Sequence, residues 1–364
     1  MSNIYIYIYS KIIKKIVIIL ALLISILALT FISYSVYIVK YKYKNVRVIR
    51  LTGGLGNQLY QVAFGYTLHK KTGMNVKYDT ILLDKEVKKQ KNRTWVRWYF
   101  DKLDVEAEKW EANFFEKWFI RTIDMNKIRV KRSNCNKFAY DYDERCFDKN
   151  IGIYMRKQFL GNPKYFIDYE KDIQRMFTTL SDKHKHELDD KNIAMIKDMQ
   201  SHKNSVVVNI RLGDYLKYKS HNICNFDYYK RAMKVFEKME DVHYYIFSDD
   251  IEGAKKYFKI DKPHTFVDIV PLEKPYLNLI LSSSAKHNII SNSTFAIWAG
   301  MLNKNPNKIV VCPNKIMNDV GIPQEIFNQS LNIYPADWIK INVDNDEPID
   351  KNNIDTKLTN YLVK

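Results

Sequence analysis

Polar side chains with chemical potential follow three apolar, β-branched runs in the second half of the chain. Asn209, Arg211 and Asp214 follow SVVVNI (205–210); Ser248, Asp249 and Asp250 close HYYIFS and its turn; Ser291, Asn292, Ser293 and Thr294 follow HNII and precede a helical pattern. Ligands of open parallel sheets bind outside the carboxyl ends of the strands, so these clusters are expected to converge on one site. In NIRLGDY, Arg211 suits a diphosphate, because a guanidinium makes bidentate, permanently charged contacts to phosphate oxygens. Gly213 permits a sharp turn or a close backbone approach. Asp214 has three readings: orienting Arg211, holding a ligand hydroxyl, or taking a proton. A turn stapled by a local Arg–Asp pair is the plain alternative. SNSTF offers hydroxyl and amide groups at a helix start, where backbone N–H groups favour an anion, or else an ordinary N-cap. FSDD suits a ribose, a base edge or a metal, although adjacent Asp residues on a strand point to opposite faces. A turn after a strand accounts for it equally.

A fourth cluster lies near the start of the folded part. Gly53, Gly54, Gly56, Asn57 and Gln58 form GGLGNQ between a strand pattern and a helix pattern. It is neither G-x-G-x-x-G nor a P-loop, since no Gly-Lys-Ser/Thr follows. It allows a ligand close to the backbone, with Asn57 and Gln58 able to donate to and accept from sugar hydroxyls. A tight βα turn is the alternative. No Ser/His/Asp or Cys/His arrangement stands out. His184 and His186 sit in a charged run read as a solvated helix face. Asp344 and Asp346 have no strand leading into them and are not read as a metal site, so no metal or cofactor is expected. Cys135, Cys146, Cys224 and Cys312 lack C-x-x-C spacing. Cys135 and Cys146 either close a small loop in an oxidising compartment or remain buried thiols.

The elements that must carry these groups alternate. VRVIRL (46–51), the glycine turn, a helix ending at Gly73 and the strand MNVKYD give a β-loop-α-β opening. Residues 80–150 show no clear period and are expected to form helices and long loops. YMRKQFLGNPKYF (154–166) reads as a short strand and turn, and 167–203 as polar helix linking two lobes. Beyond that, strands at 205–210, 243–248, 287–291 and 308–312 alternate with helical patterns, which implies a parallel sheet covered on both faces.

Residues 16–39 hold no charge, Pro or Gly. A helix that long reaches ~36 Å, enough to cross a hydrocarbon core of roughly 30 Å. The IYIYIY repeat before it (4–9) alternates like a strand and is read as a low-complexity lead-in of unknown structure. About 320 residues remain after this span, enough for two lobes. Hydrophobic residues make up 46% of the chain, which excludes a disordered protein, and the formal net charge is +17. No nucleic-acid-binding pattern accompanies that charge. The basic, aromatic run KNRTWVRWYF (91–100) fits a partly solvated helix or an acceptor-site loop as well as it fits nucleic acid, and no nucleic-acid partner is expected.

Taken together, LTGGLGNQLYQVAFGYTLHKKTG, VVVNIRLGDY, YYIFSDD and HNIISNSTFAIWAGMLN resemble, in order and spacing, the α-1,2-fucosyltransferases of glycosyltransferase family 11 over roughly residues 46–340. The resemblance implies a GT-B-like α/β fold: two Rossmann-type lobes with parallel sheets facing a cleft, here preceded by one transmembrane helix. The implied layout is a tail (1–15), a signal anchor (16–39), a short charged stem (40–45), an acceptor-side lobe (46–200), a GDP-sugar lobe (201–342) and a C-terminal tail (343–364). It implies metal-independent, inverting transfer of fucose from GDP-fucose to the 2-hydroxyl of a galactose-terminated glycan. Arg211 would meet the GDP phosphates, with Asp214 the candidate base. Asn209, Gly213, Ser248, Asp249, Asp250, Asn292, Ser293 and Thr294 would surround the donor, and the glycine loop would line the cleft opposite. A related GDP-sugar transferase with another acceptor, or a weakly active glycan- or nucleotide-binding relative, stays open. The sequence departs from the family pattern at Asn209 (usually His), Leu212 (usually a second Arg, so one phosphate-site charge is lost), Ala296 and Ile297. The resemblance further implies a single-pass type II protein with a Golgi-lumenal catalytic domain, although Lys40, Lys42, Lys44, Arg47 and Arg50 outnumber the basic residues before the span and lean against that orientation. Asn92, Asn328 and, unless buried, Asn292 would then be glycosylation acceptors.

Overall fold

The computed structural model describes residues 2–89, 96–122, 140–150, 152–155, 159–318 and 324–344. A 36-residue helix, α1 (Ser2–Tyr37), opens the chain and passes into a π-helical turn, Ile38–Lys42. It is long and apolar enough to cross a membrane by length and composition, and its apolar stretch is unburied. The Tyr-Ile repeat, whose alternation resembles a strand and whose structure the sequence leaves open, is helical. A lone strand would leave its backbone unpaired, whereas extending an existing helix adds one hydrogen bond for each residue fixed. The expected charged stem is no free linker either. Ile38, Val39 and Tyr43 are buried against Val48, Trp110, Phe119, Ile120 and Ile153.

The first lobe is built on β1 (Val46–Arg50), α2 (Leu55–Thr72) and β2 (Asn75–Asp79), with Gly73 closing α2 at φ +69°. β1 lies between β2 and β3 (Tyr154–Met155), parallel to both. α3 (Ile81–Lys89) and α4 (Phe114–Thr122) follow β2 in the chain, and α5 (Glu170–Thr178) and α6 (Asp190–Ser201) lead to the second lobe. Cys146 is disulfide-bonded, whereas Cys224 and Cys312 are not. The expectations on Cys135 and Asn92 lie outside the described residues. Within the basic run, Val96, Tyr99 and Phe100 are buried, and the Trp98 and Phe100 rings meet at 5.1 Å. Its described part thus anchors in the core, with Arg97 exposed.

The second lobe runs β4 (Asn204–Ile210), α7 (Phe226–Lys234), β5 (Val242–Ser248), α8 (Ile251–Tyr257), β6 (His264–Phe266), α9 (Pro275–Ser282), β7 (His287–Ile289), α10 (Thr294–Leu302), β8 (Val310–Pro313), α11 (Gln324–Gln329) and β9 (Ile339–Ile341). All neighbouring strands are parallel, in the order β6-β5-β4-β7-β8-β9. Every residue of β4 is buried, as a strand covered on both faces requires. Counted within the lobe the order is 3-2-1-4-5-6. The winding therefore reverses between β4 and β7, and a crevice opens at their carboxyl ends.

The two-lobed, GT-B-like architecture of parallel sheets about a cleft is thus present. One hydrophobic core joins the lobes through Trp298 of α10. Its ring meets Tyr60 of α2 at 4.9 Å, Phe166 at 5.3 Å and Phe177 of α5 at 5.5 Å. That cluster fixes the amino end of α10 against the amino end of α2, which is where the candidate site lies.

Candidate active site

A cavity of about 420 Å³ lies between the start of α2 and the carboxyl ends of β4, β5 and β7. It brings together Gly54, Gly56 and Asn57 from the first lobe with Asn209, Arg211, Gly213, Asp214, Ser248, Asp249, Ser293 and Thr294 from the second. Three of the strand ends singled out in the sequence do converge, with the glycine loop opposite.

Arg211 leaves β4 at the crevice and is held from three sides. Its Nη2 donates to Asp214 Oδ1 at 2.5 Å, its Nη1 lies 3.2 Å from Asp249 Oδ2, and its guanidinium carbon stands 5.1 Å from the Tyr215 ring centre. Its Nε is buried without a partner. Asp249 is fixed in turn by the Leu212 backbone N–H, which donates to Oδ1 at 2.9 Å. Burial pushes the Asp249 carboxyl above its ordinary value, against the lowering effect of Arg211. Asp214 is 40% exposed, so its pair with Arg211 is of the surface kind, worth about 0–1 kcal/mol, and yields readily to a phosphate. Burial also raises the Tyr215 hydroxyl.

Two helix amino ends face each other across this space. α2 begins after Gly54 and α10 after Ser293, and neither N-cap residue supplies a side-chain acceptor to the first turn. The first N–H groups of both helices, with the positive ends of their dipoles, are thus open to an anion. Thr294 Oγ1 donates to Asn57 Oδ1 at 2.8 Å, tying the two ends together. Asn209 is buried at the cavity wall with its Oδ1 unpartnered.

Four expected site residues do other work. Asp250 caps α8, accepting from Gly253 N–H at 2.9 Å. Asn292 is buried and donates to the carbonyls of His221 and Ile316, which also removes it as a glycosylation acceptor. Gly53 turns the loop at φ +76°, and buried Gln58 donates to its carbonyl at 2.9 Å. Asn328, by contrast, is exposed on α11. Tyr215, Leu272, Pro275, Asn278, Phe295 and Ala296 also line the cavity. Tyr215 stood inside a recognised motif, but Leu272 to Asn278 come from the approach and first turn of α9, which no motif marks. Among the described residues, no three His, Cys, Asp or Glu side chains gather as a metal site.

With this geometry in view, comparison with known families is decisive. The profile described as Glycosyl transferase family 11 matches residues 46–342, from the first residue of β1 to just beyond β9. The chain belongs to glycosyl transferase family 11. It is 29% identical over 313 residues to an α-1,2-colitosyltransferase of Escherichia coli, covering 82% of this chain and 99% of that one. It is 25% identical over 304 residues to the O-antigen biosynthesis glycosyltransferase WbnK of Escherichia coli, covering 73% and 93%. Among solved structures it is similar to the fucosyltransferase NodZ from Bradyrhizobium, at 14% identity and a TM-score of 0.42 over 70% of this chain and 91% of that one. As a family 11 member the chain is a glycosyltransferase. Its departure at Leu212 also reads differently in the structure: that side chain packs on the core of the second lobe and does not line the cavity. What the site takes from this residue is its backbone N–H.

Proposed function

We propose that this glycosyltransferase moves L-fucose from GDP-fucose to the 2-hydroxyl of a terminal β-galactoside, with inversion and without a metal. The observation that carries the proposal is Arg211, with a buried unpartnered Nε, beside two facing helix amino ends without side-chain caps. That arrangement suits the diphosphate of a nucleotide sugar. The acceptor oxygen forms its bond to the sugar C1 as the bond from C1 to the β-phosphate oxygen breaks. Negative charge then grows on the departing GDP, where the guanidinium and the helix N–H groups stabilise it. The acceptor proton passes to a carboxylate, for which Asp214 is placed at the cavity wall and part-exposed. The α-1,2-colitosyltransferase relative supports the linkage and motivates a second reading. Colitose is a 6-deoxy sugar like fucose but lacks the 3-hydroxyl, so donor choice rests on a partner for that group, and Asn209 Oδ1 is a free acceptor. The apolar helix supports a bilayer anchor. The Golgi lumen and the type II orientation rest on the family resemblance, and protease protection of the second lobe in sealed vesicles tests them.

The direct test incubates the full-length protein with lactose-type acceptors and GDP-fucose or GDP-colitose without added metal. Transfer from GDP-fucose giving a 2-linked product is expected. Transfer from GDP-colitose alone would overturn the donor assignment, and no product with any of several galactosides would overturn the acceptor assignment.

A further inference from the structure

Among the described residues, α4 (Phe114–Thr122) packs against the side of the membrane-span candidate. Phe31 of α1 meets the rings of Phe115, Trp118 and Phe119 at 5.3, 6.4 and 6.2 Å, and Tyr34 meets Phe115 at 5.5 Å. Glu116, almost wholly buried, accepts from the Tyr34 hydroxyl at 2.9 Å and from Lys42 Nζ at 2.5 Å. The far end of α4 is tied to the first lobe, where Arg121 grips Asp79 through Nε and Nη2 at 2.8 and 2.6 Å. α4 is thus braced between the span and β2. Its Phe119 and Ile120 point into the lobe, while Phe114 is 85% and Trp118 45% exposed.

Depth decides what covers those two rings. Lys40, Lys42 and Lys44 are exposed and mark the charged end of the span. Phe31 precedes Lys40 by nine residues, roughly 13 Å along a helix at about 1.5 Å per residue. With the lysines at the headgroups of an upright span, a side chain level with Phe31 lies near the boundary with the acyl chains. Interfacial helices seat their apolar face about 5–10 Å into that boundary. Tyr34, Tyr37 and Tyr41 stack along the same stretch, as the aromatic belt of a membrane interface does. Of the ionisable groups of α4, Glu116 and Arg121 are already paired internally, and Lys117 can carry its ammonium to the headgroups while its stem lies along the apolar layer.

We propose that α4 is a second membrane contact: it lies in the interface beside the span, inserts Phe114 and Trp118 among the lipids, and so fixes the first lobe at one attitude to the bilayer. The occupant of the exposed face is the lipid bilayer, by continuity with the span. The proposal rests on α1 residing in a membrane, not on the reaction assigned above. The test reconstitutes the full-length protein in phosphatidylcholine/phosphatidylglycerol vesicles containing chain-brominated lipid and compares wild type with Trp118→Phe. One of six Trp residues is then missing, so up to about one-sixth of the emission should drop out of the quenched fraction. Phe114→Trp in the Trp118→Phe background should restore it, and circular dichroism melting checks that each variant is folded. Flotation with the vesicles but equal quenching of all three proteins overturns the docking of α4 and leaves the anchor standing. Failure to float overturns both.

Discussion

Gly56 is the position where one methyl group should cost most activity for least stability. An added Cβ would stand 2.5 Å from Phe295 N, 2.7 Å from Thr294 C and 2.7 Å from Thr294 Oγ1, whereas ordinary contact begins at 3.4 Å. Two of those atoms are backbone of the first turn of α10, and α10 is locked by Trp298, so no side chain can rotate out of the way. The lobes must therefore separate by roughly 0.9 Å at the cavity mouth, which also breaks the Thr294–Asn57 hydrogen bond. A misplacement near 1 Å costs about 100-fold in rate. The stability effects partly cancel. Overpacking costs about 1–3 kcal/mol, and the smaller conformational freedom of unfolded Ala returns about 0.4–1 kcal/mol. At about 2–4 °C per kcal/mol the melting temperature of Gly56→Ala should fall by only a few degrees. Initial rates over a donor series, a melting curve and a GDP titration separate these effects. The expected result is a kcat/KM down about 100-fold in a folded protein. Gly65→Ala is the comparison. Its Cβ would strike the Tyr78 hydroxyl inside the first lobe, so it should cost stability and leave kcat near wild type. If Gly56→Ala keeps wild-type kcat/KM, or if Gly65→Ala loses as much activity, then apposition of the two helix ends does not govern catalysis.

Three further expectations follow from the same structure. Arg211→Ala should lower kcat by about 10²–10³-fold, the loss seen when one charge-stabilising donor is removed, and Arg211→Lys should recover only part, lacking the fork that meets Asp214, Asp249 and a phosphate together. His287 is buried, its Nδ1 accepting from Ile309 N–H at 3.1 Å, and burial lowers it from 6.5 to about 3. The fold therefore holds it neutral, so its contribution is full above pH 6.5 and is lost as pH falls toward 3, with a slope of up to about 1.4 kcal/mol per pH unit; urea midpoints at pH 7 and pH 5 should differ less in His287→Gln than in wild type. Finally, a chain beginning at Val46 removes Ile38, Val39 and Tyr43 from Trp110, Phe119 and Ile120 and removes Lys42 from buried Glu116. It should melt lower and aggregate on size exclusion, whereas one beginning at Tyr34 should not.

The sequence revealed the second lobe well because strands buried on both faces read as apolar runs, and VVV or YYIF needs no tertiary information. β6 and β9 escaped because three residues each, HTF and IKI, carry too little pattern to separate from loop. Asp249 and Asp250 look equivalent in FSDD. Only the fold separates them: Asp250 Oδ1 accepts from Gly253 N–H and caps α8, whereas Asp249 Oδ1 accepts from the Leu212 N–H. The contact between α1 and α4 was not available: Phe31 and Phe115 are 84 positions apart, and FFEKWFIRT reads as any short amphipathic helix.

The motifs themselves turn out to be parts of one object. β4 and β5 run parallel with Asn209 opposite Phe247 and Ile210 opposite Ser248, so the residues after each strand meet. Gly213, at φ +20°, lies so close to Asp249 that any Cβ would collide with its Oδ2. Leu212 gives its N–H to the same carboxylate, and the carboxylate in turn reaches Arg211. Gly213 is therefore required by Asp249, and Asp249 by Arg211, although the three stand in two motifs more than thirty positions apart. Leu212 meets a weaker demand, since only its backbone takes part. A change of side chain there can remove a charge from the sequence pattern while the guanidinium, its carboxylates and the two helix ends keep their arrangement, which is why the loss of the second Arg does not argue against catalysis.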